Sequence, residues 1–261
     1  MNRRDSHYRP GRSLVTGASS GIGAEFARAL AARGSDLVLV ARREDRLTAL
    51  AKELEQTHGI HCRTVAWDLS EEASGRRLRE VVPEQIDLVV NNAGFAVQGP
   101  FADGDAENFE RLIAVDIRAV VDICSAFLPD MIDREDGTIV NVASTTAFQP
   151  VPSLAVYAAA KAFVLSFSQS LWYEAGQHGV RVFALNPGPT RTEFFDVIGD
   201  TAAAAGTYQT PTEVVATAMR TLDARRSRPQ VISGRRNTVQ AIAAGLVPAR
   251  VLLPTLARML H

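Results

Sequence analysis

The chain has 261 residues, 46% of them apolar and 22% charged, with a formal net charge of −1. This is ordinary for a globular protein with length enough for a full core. It argues against a nucleic-acid partner, which would call for a basic face. Cys62 and Cys124 lie far apart without CxxC spacing. No disulfide framework or metal site is therefore expected, and a reducing, cytoplasmic setting fits best.

The chain opens with Arg3, Arg4, Arg9 and Arg12 and has no apolar run before Gly11. Residues 1–11 thus read as a flexible, solvated tail and not as a signal peptide. Short apolar runs at 13–16, 36–41, 62–66, 87–90, 138–142, 180–185 and 230–232 read as strands. Most lack polar alternation, the pattern of strands covered on both faces. Between them, 22–33, 44–58, 70–82, 106–134, 153–177 and 211–224 read as helices. Asp105 and Ser153 are the expected N-caps of the two long ones. In the second, Phe163, Phe167 and Leu171 recur at four-residue steps, as do Val156, Ala160 and Val164. Those stripes suit core or subunit contact. The alternation gives one α/β domain over 12–235, a parallel sheet with helices on both faces and an excursion near 192–210. The apolar tail at 236–261 is interrupted by Gln240, Pro248, Arg250, Pro254 and Arg258, too often for a membrane span. Its readings, in order, are packing at a pocket mouth, a subunit contact, and peripheral rest on a membrane surface.

Two features carry chemistry. Thr16-Gly17-Ala18-Ser19-Ser20-Gly21-Ile22-Gly23 follows the first strand and opens the first helix. Glycines there permit a tight turn, and free N–H groups at the helix N-terminus can hold a pyrophosphate. The spacing is GxxxGxG, not the GxGxxG of the common dinucleotide fingerprint. Farther on, Tyr157 and Lys161 stand four residues apart, so a helix stacks them on one face. An ammonium beside a phenol favours phenolate and lowers the tyrosine pKa, which suits proton transfer to an alcohol oxygen.

TGASSGIG, Asn91-Asn92-Ala93-Gly94, Ser144, Tyr157-x-x-x-Lys161 and Asn186-Pro187-Gly188, in that order, resemble the short-chain dehydrogenases/reductases. The likeness runs from about residue 13 to 192, less securely to 232. It implies a Rossmann-type, doubly wound sheet of seven parallel strands with a nicotinamide dinucleotide at its carboxyl edge. Gly17, Gly21 and Gly23 would carry the pyrophosphate, with Ser19, Ser20 and Ile22 beside them. Asp68 would bond the adenine amine or cap the next helix, a role open to Ser70, with Leu69 adjacent. Asn92, Ala93 and Gly94 would line the adenosine ribose, and Asn91 would brace the central strand. Pro187 and Gly188 would shape the floor, with Thr190 and Thr192 toward the nicotinamide.

The same resemblance makes Ser144, Tyr157 and Lys161 catalytic. Tyr157 would be the general acid or base, Ser144 would hold the substrate oxygen, and Lys161 would lower the tyrosine pKa and bind the nicotinamide ribose. At the end of the second strand an acid would favour NAD. This chain has Ala41-Arg42-Arg43. An arginine fork suits a 2′-phosphate, so NADP (NADPH) is expected over NAD, with Arg42 as main contact. One position departs from the family pattern. Its usual asparagine, which shapes the long helix and supports a proton-relaying water, is here Asp116. Burial would raise that carboxyl's pKa or pair it with Lys161.

Phe95, Thr145, Phe148, Gln149, Pro150, Phe194 and Phe195 are the expected substrate neighbours, an apolar set suited to a hydrophobic small molecule. Phe194 and Phe195 fall where the family carries a lid. The resulting expectation is an NADP(H)-dependent carbonyl/hydroxyl oxidoreductase, a homodimer or homotetramer. The alternative is a catalytically impaired NADP-binding sensor.

Overall fold

A computed structural model describes residues 7–193, 208–224 and 226–260. Its seven strands are β1 (Arg12–Thr16), β2 (Asp36–Ala41), β3 (Cys62–Ala66), β4 (Leu88–Asn91), β5 (Thr138–Val142), β6 (Arg181–Asn186) and β7 (Gln230–Ile232). All pair in parallel, in the order β3-β2-β1-β4-β5-β6-β7. The chain winds outward from β1 to β3, then returns to lay β4 against β1. That reversal opens a crevice beyond the carboxyl ends of β1 and β4, where doubly wound sheets bind ligands. Every expected strand is present, its ends within a residue of those read from the sequence.

The strands are apolar throughout because helices cover both faces. Leu37 and Leu39 of β2 join Val15, Val90 and Leu185 on one side. There they meet Phe26 and Leu30 of α1 (Gly21–Ala31), Leu47 and Leu54 of α2 (Glu44–His58), and residues of the helix Pro211–Asp223. Val38 and Val40 point the other way with Leu14, Val89 and Ile139. They meet α3 (Ser74–Val81), α5 (Ala119–Asp133) and α6 (Ala155–Gly176) through Leu78, Ile123, Met131 and Val164. Each fully buried Leu or Phe contributes roughly 1.5–3 kcal/mol. Local signals set several helix ends. Gly59, at φ +67, stops α2. Thr210 and Glu213 form a reciprocal capping box before α7 (Pro211–Asp223), which has Pro211 in its first turn.

Four expectations change. The single helix over 106–134 is α4 (Ala106–Ile113), a π-helical turn (Ala114–Arg118) and α5. Asp105 does cap α4, accepting the Glu107 N–H. Ser153 does not cap α6: Leu154 takes that position, and Ser153 sits in the left-handed region at φ +63. Residues 70–73 turn before α3 begins, because Asp68 accepts the Ser70 N–H at 2.9 Å and closes a local turn instead of a helix. Residues 7–11, read as tail, are tied down. The Tyr8 N–H bonds Asp223 at 2.9 Å, and Arg33 reaches the Tyr8 carbonyl at 3.0 Å.

Beyond β7 the chain forms α8 (Arg235–Leu246) and α9 (Ala249–Leu260). Ala241 and Leu256 are buried, and α8 lies against the 3₁₀ turn Thr145–Phe148 that follows β5. No helix among the described residues is long and apolar enough to cross a membrane.

Candidate active site

The crevice is built from strand ends. After β1 the chain turns through Gly17, at φ +65, and enters α1 at Gly21, at φ +55. A Cβ on Gly23 would lie 2.3 Å from the Gly17 carbonyl oxygen, so only glycine lets α1 start this close to the strand. Ser20 precedes α1 and makes no side-chain cap bond. The first-turn N–H groups of α1 are therefore left to a ligand. The Thr16 hydroxyl stitches the two sides of the crevice by accepting the Asn92 and Ala93 N–H groups at 2.9 and 3.0 Å.

The opposite wall comes from β5 and α6. Asn91 donates to Asn141 at 2.9 Å, and Asn141 donates to Ser168 at 2.9 Å. This buried ladder fixes α6 against the central strands, as expected for Asn91. It sets Tyr157 and Lys161 beneath Ser144, at the end of β5. The Ser144 and Tyr157 side chains are hydrogen-bond partners, and the Ser144 hydroxyl accepts the Thr146 N–H at 3.1 Å. Lys161 lies 5.6 Å from the Tyr157 ring centre and donates to the Val142 carbonyl at 3.2 Å.

Asp116 completes this group from the π-helical turn. Its carboxylate is 0% exposed, 3.0 Å from the Lys161 ammonium, and it accepts the Phe95 N–H at 3.0 Å. A Cβ on Gly94 would sit 2.8 Å from that carboxylate, so the Asn92-Ala93-Gly94 turn needs glycine there. Burial raises the Asp116 pKa, with Lys161 opposing. Burial also works against the Lys161 charge, but Asp116 and Tyr157 outweigh it and hold the amine above its usual range. Tyr157 corrects the sequence reading. Lys161 does pull its pKa down, but burial and the Asp116 charge push it net upward.

One cavity of about 810 Å³ joins these parts. It runs from Gly17, Ser19, Ser20, Gly21 and Ile22, past Arg42, Asp68 and Leu69, to Asn92, Ala93, Gly94 and Phe95. It continues past Ser144, Thr145, Tyr157, Lys161, Pro187, Gly188, Thr190 and Thr192. The uncapped helix start and the glycine cradle fit a dinucleotide. Phe148, expected at the substrate, packs against the core cluster under α6 instead. Phe194, Phe195 and most of the expected lid lie outside the described residues. On its two described sides, Thr190 and Gln209 pair, and the Arg191 N–H bonds the Gln209 carbonyl at 2.9 Å.

One contribution was missed by sequence reading. Arg43, not Arg42, holds the glycine turn, bonding Ser19 at 3.0 Å, Ser20 at 2.9 Å and Glu193 at 2.8 Å. Arg42 lines the cavity beside Asp68. Burial works against the Asp68 charge, but Ser70 and Arg42 outweigh it and hold its pKa below the usual range. The double arginine at the end of β2 was the available signal. The apolar tail also contributes a wall, made by α8 and α9 with Gln240, Ala243, Val247, Leu252 and Leu256. Nothing in their spacing marks those residues as pocket lining.

A glycine turn at the switch point of a parallel sheet, facing a Ser-Tyr-Lys group across one cavity, defines a dinucleotide-dependent oxidoreductase. The short chain dehydrogenase family profile matches residues 12–203, and the chain belongs to that family of NAD(P)-dependent dehydrogenases and reductases. It is 38% identical over 210 residues to sulfoacetaldehyde reductase 2 of Chromohalobacter salexigens, covering 78% of this chain and 82% of the relative. Among solved structures, the short-chain dehydrogenase from Sphingobium yanoikuyae in complex with NADPH is 36% identical, with TM-score 0.80 over 89% of this chain and 91% of the other. The bulky-bulky ketone specific alcohol dehydrogenase from Comamonas testosteroni is 30% identical, with TM-score 0.76 over 91% and 94%.

Proposed function

We propose that the chain interconverts a carbonyl and a hydroxyl on a hydrophobic small molecule, with NADPH as the preferred cofactor and Tyr157 as general acid or base. The observation that carries this reading is the meeting of Ser144, Tyr157 and Lys161 in the cavity that begins at the glycine turn. The first turn of α1 would hold the pyrophosphate, and Arg42 with Arg43 the 2′-phosphate. Bound NADPH would supply the hydride. Ser144 holds the substrate oxygen against the phenol. With its pKa pushed up, Tyr157 keeps its proton at neutral pH, the form needed to protonate the oxygen during reduction. Lys161 stabilises the phenolate left behind, and Asp116 holds Lys161 in place. The roomy wall from Val151, Leu154, Val247 and Leu252 supports an apolar substrate, as does the bulky-ketone preference of the Comamonas relative. Assembly as a homodimer or homotetramer belongs to the same reading. Phe163 stacks on Phe167 at 5.8 Å yet stays 40% exposed on α6, a face suited to a second subunit.

The reading is tested by an NADPH-oxidation screen over aldehydes, ketones, quinones and ketosteroids, with Tyr157→Phe as the blank. Turnover of some carbonyl by the wild type alone supports it. A rate shared by both proteins defeats the assignment of Tyr157.

Cofactor choice has its own test. Arg42→Asp should weaken NADPH binding roughly 10–100-fold, the range for losing a charge-assisted bond, and leave NADH nearly unchanged. Fluorescence titration of both nucleotides measures this, and equal losses would remove the 2′-phosphate assignment.

Asp116→Asn should retain activity but move its pH dependence. Asp116 raises the pKa of Tyr157, so its neutralisation lowers that pKa. Alcohol oxidation, which needs phenolate, should reach its plateau at lower pH. Carbonyl reduction, which needs phenol, should begin to fall at lower pH. A complete loss of activity, or an unmoved profile, would show that the charge of Asp116 is not coupled to Tyr157.

A further inference from the structure

We propose that α8 and α9 form a docking surface for an anionic lipid bilayer, with the pocket mouth opening toward it. Three observations converge on this pair of helices. First, no aspartate or glutamate follows Asp223, whereas α8 and α9 contain Arg235, Arg236, Arg250 and Arg258. The whole chain has a net charge of −1, so this end is basic against an acidic remainder. Arg235, Arg236 and Arg250 are exposed, and none makes an ion pair with a described residue. Arg28, Arg33 and Arg79, by contrast, are paired with Glu53, Asp223 and Asp130.

Second, the same helices present the most exposed aliphatic side chains among the described residues: Val239 at 68%, Ile242 at 58% and Val251 at 56%. Val239 and Ile242 are three positions apart and therefore share one face of α8 with Arg235. The inner faces are satisfied: Asn237 and Ala241 of α8 and Leu256 of α9 are buried. Each helix thus has one side fixed to the protein and the other apolar and basic, the composition of a helix lying in a lipid interface.

Third, the two helices are also the outer wall of the substrate end of the cavity. Val247, in the connection between them, is both exposed and pocket-lining. A surface laid on the outer faces of α8 and α9 would place the mouth at the bilayer, where an apolar substrate concentrates. Charge selects this occupant over a second copy. A two-fold contact centred here would set Arg235, Arg236 and Arg250 against their own equivalents. An anionic headgroup layer instead supplies what these arginines lack, at roughly five-fold in partitioning for each.

The test is flotation of the full-length protein with phosphatidylcholine vesicles, and with vesicles of phosphatidylcholine mixed with phosphatidylglycerol. The protein should float with the mixed vesicles and not the neutral ones, and salt should release it. Arg235→Gln/Arg236→Gln/Arg250→Gln should weaken partitioning by roughly a hundred-fold, three five-fold steps. Val239→Asp/Ile242→Asp should abolish it. Both variants alter exposed side chains, so circular dichroism and NADPH binding should match wild type, which separates failure of docking from failure of the catalytic reading. Absence of flotation with mixed vesicles overturns the proposal, as does equal flotation with neutral ones. If Val239→Asp/Ile242→Asp instead dissociates an oligomer in light scattering, the face is a subunit interface and the lipid assignment falls.

Discussion

Substituting Tyr157 with Phe is expected to lower turnover roughly a hundred- to ten-thousand-fold while leaving the fold almost untouched, the range for removing a general acid. The ring is buried among Leu112, Leu154 and Ala160, and phenylalanine keeps those contacts. Only the hydroxyl is lost, and with it the bond to Ser144. Ser144 keeps the Thr146 N–H, so no buried group is stranded. Melting temperature should therefore barely move. NADPH binding should weaken by no more than about ten-fold, the value of one lost hydrogen bond. The discriminating measurement is kcat against NADPH affinity in the same preparation. Loss of both together would mean that Tyr157 shapes the cofactor site and transfers no proton. A variant retaining more than a tenth of wild-type turnover would move the acid role to another group.

The sheet was legible because its physics is local and repeated. Runs such as Leu37-Val38-Leu39-Val40 can be buried on both faces only in a covered parallel sheet, and each such run is a strand in the structure. The glycine turn was legible because Gly17 and Gly23 answer a steric demand that no other residue meets. Tyr157 and Lys161 were legible because helix periodicity alone puts them on one face.

What stayed hidden depends on contacts distant in sequence. Nothing near Ala114 signals a π-helical turn. It becomes intelligible only when Asp116 is seen meeting Lys161 from a different helix. Phe148 has the composition of a substrate neighbour, but which way it faces is decided by the core under α6. Arg42 and Arg43 are indistinguishable as letters, and only the fold turns Arg43 onto Ser19 and Ser20. The direction of the Tyr157 pKa also needed the structure. The local rule supplies the Lys161 effect, whereas the larger effect is burial, which no spacing records.

Burial makes the Lys161–Asp116 pair the site of the largest expected stability change. Lys161→Met keeps the length of the side chain and removes its charge, leaving Asp116 with the Phe95 N–H as its remaining hydrogen-bond donor. An uncompensated buried carboxylate costs about 3–5 kcal/mol at neutral pH. In a chain of this size that corresponds to a fall in Tm on the order of 10 °C. The pH dependence follows from the sign of the shift. Burial already raises the folded-state pKa of Asp116, and loss of the lysine removes the effect opposing it. The native variant then holds a proton that the unfolded chain has released, so its stability falls as pH rises from the ordinary carboxylate range to the raised value. Below the ordinary range both states are protonated and the deficit disappears. Thermal melts of Lys161→Met across pH should therefore converge on wild type toward acid. Adding Asp116→Asn should restore most of the lost Tm at neutral pH, because a neutral amide still offers an oxygen to the Phe95 N–H. That double variant should stay inactive, since it lacks the ammonium that stabilises the Tyr157 phenolate. A double variant as unstable as Lys161→Met alone would clear Asp116 as the source of the deficit. One with wild-type turnover would remove Lys161 from the reaction.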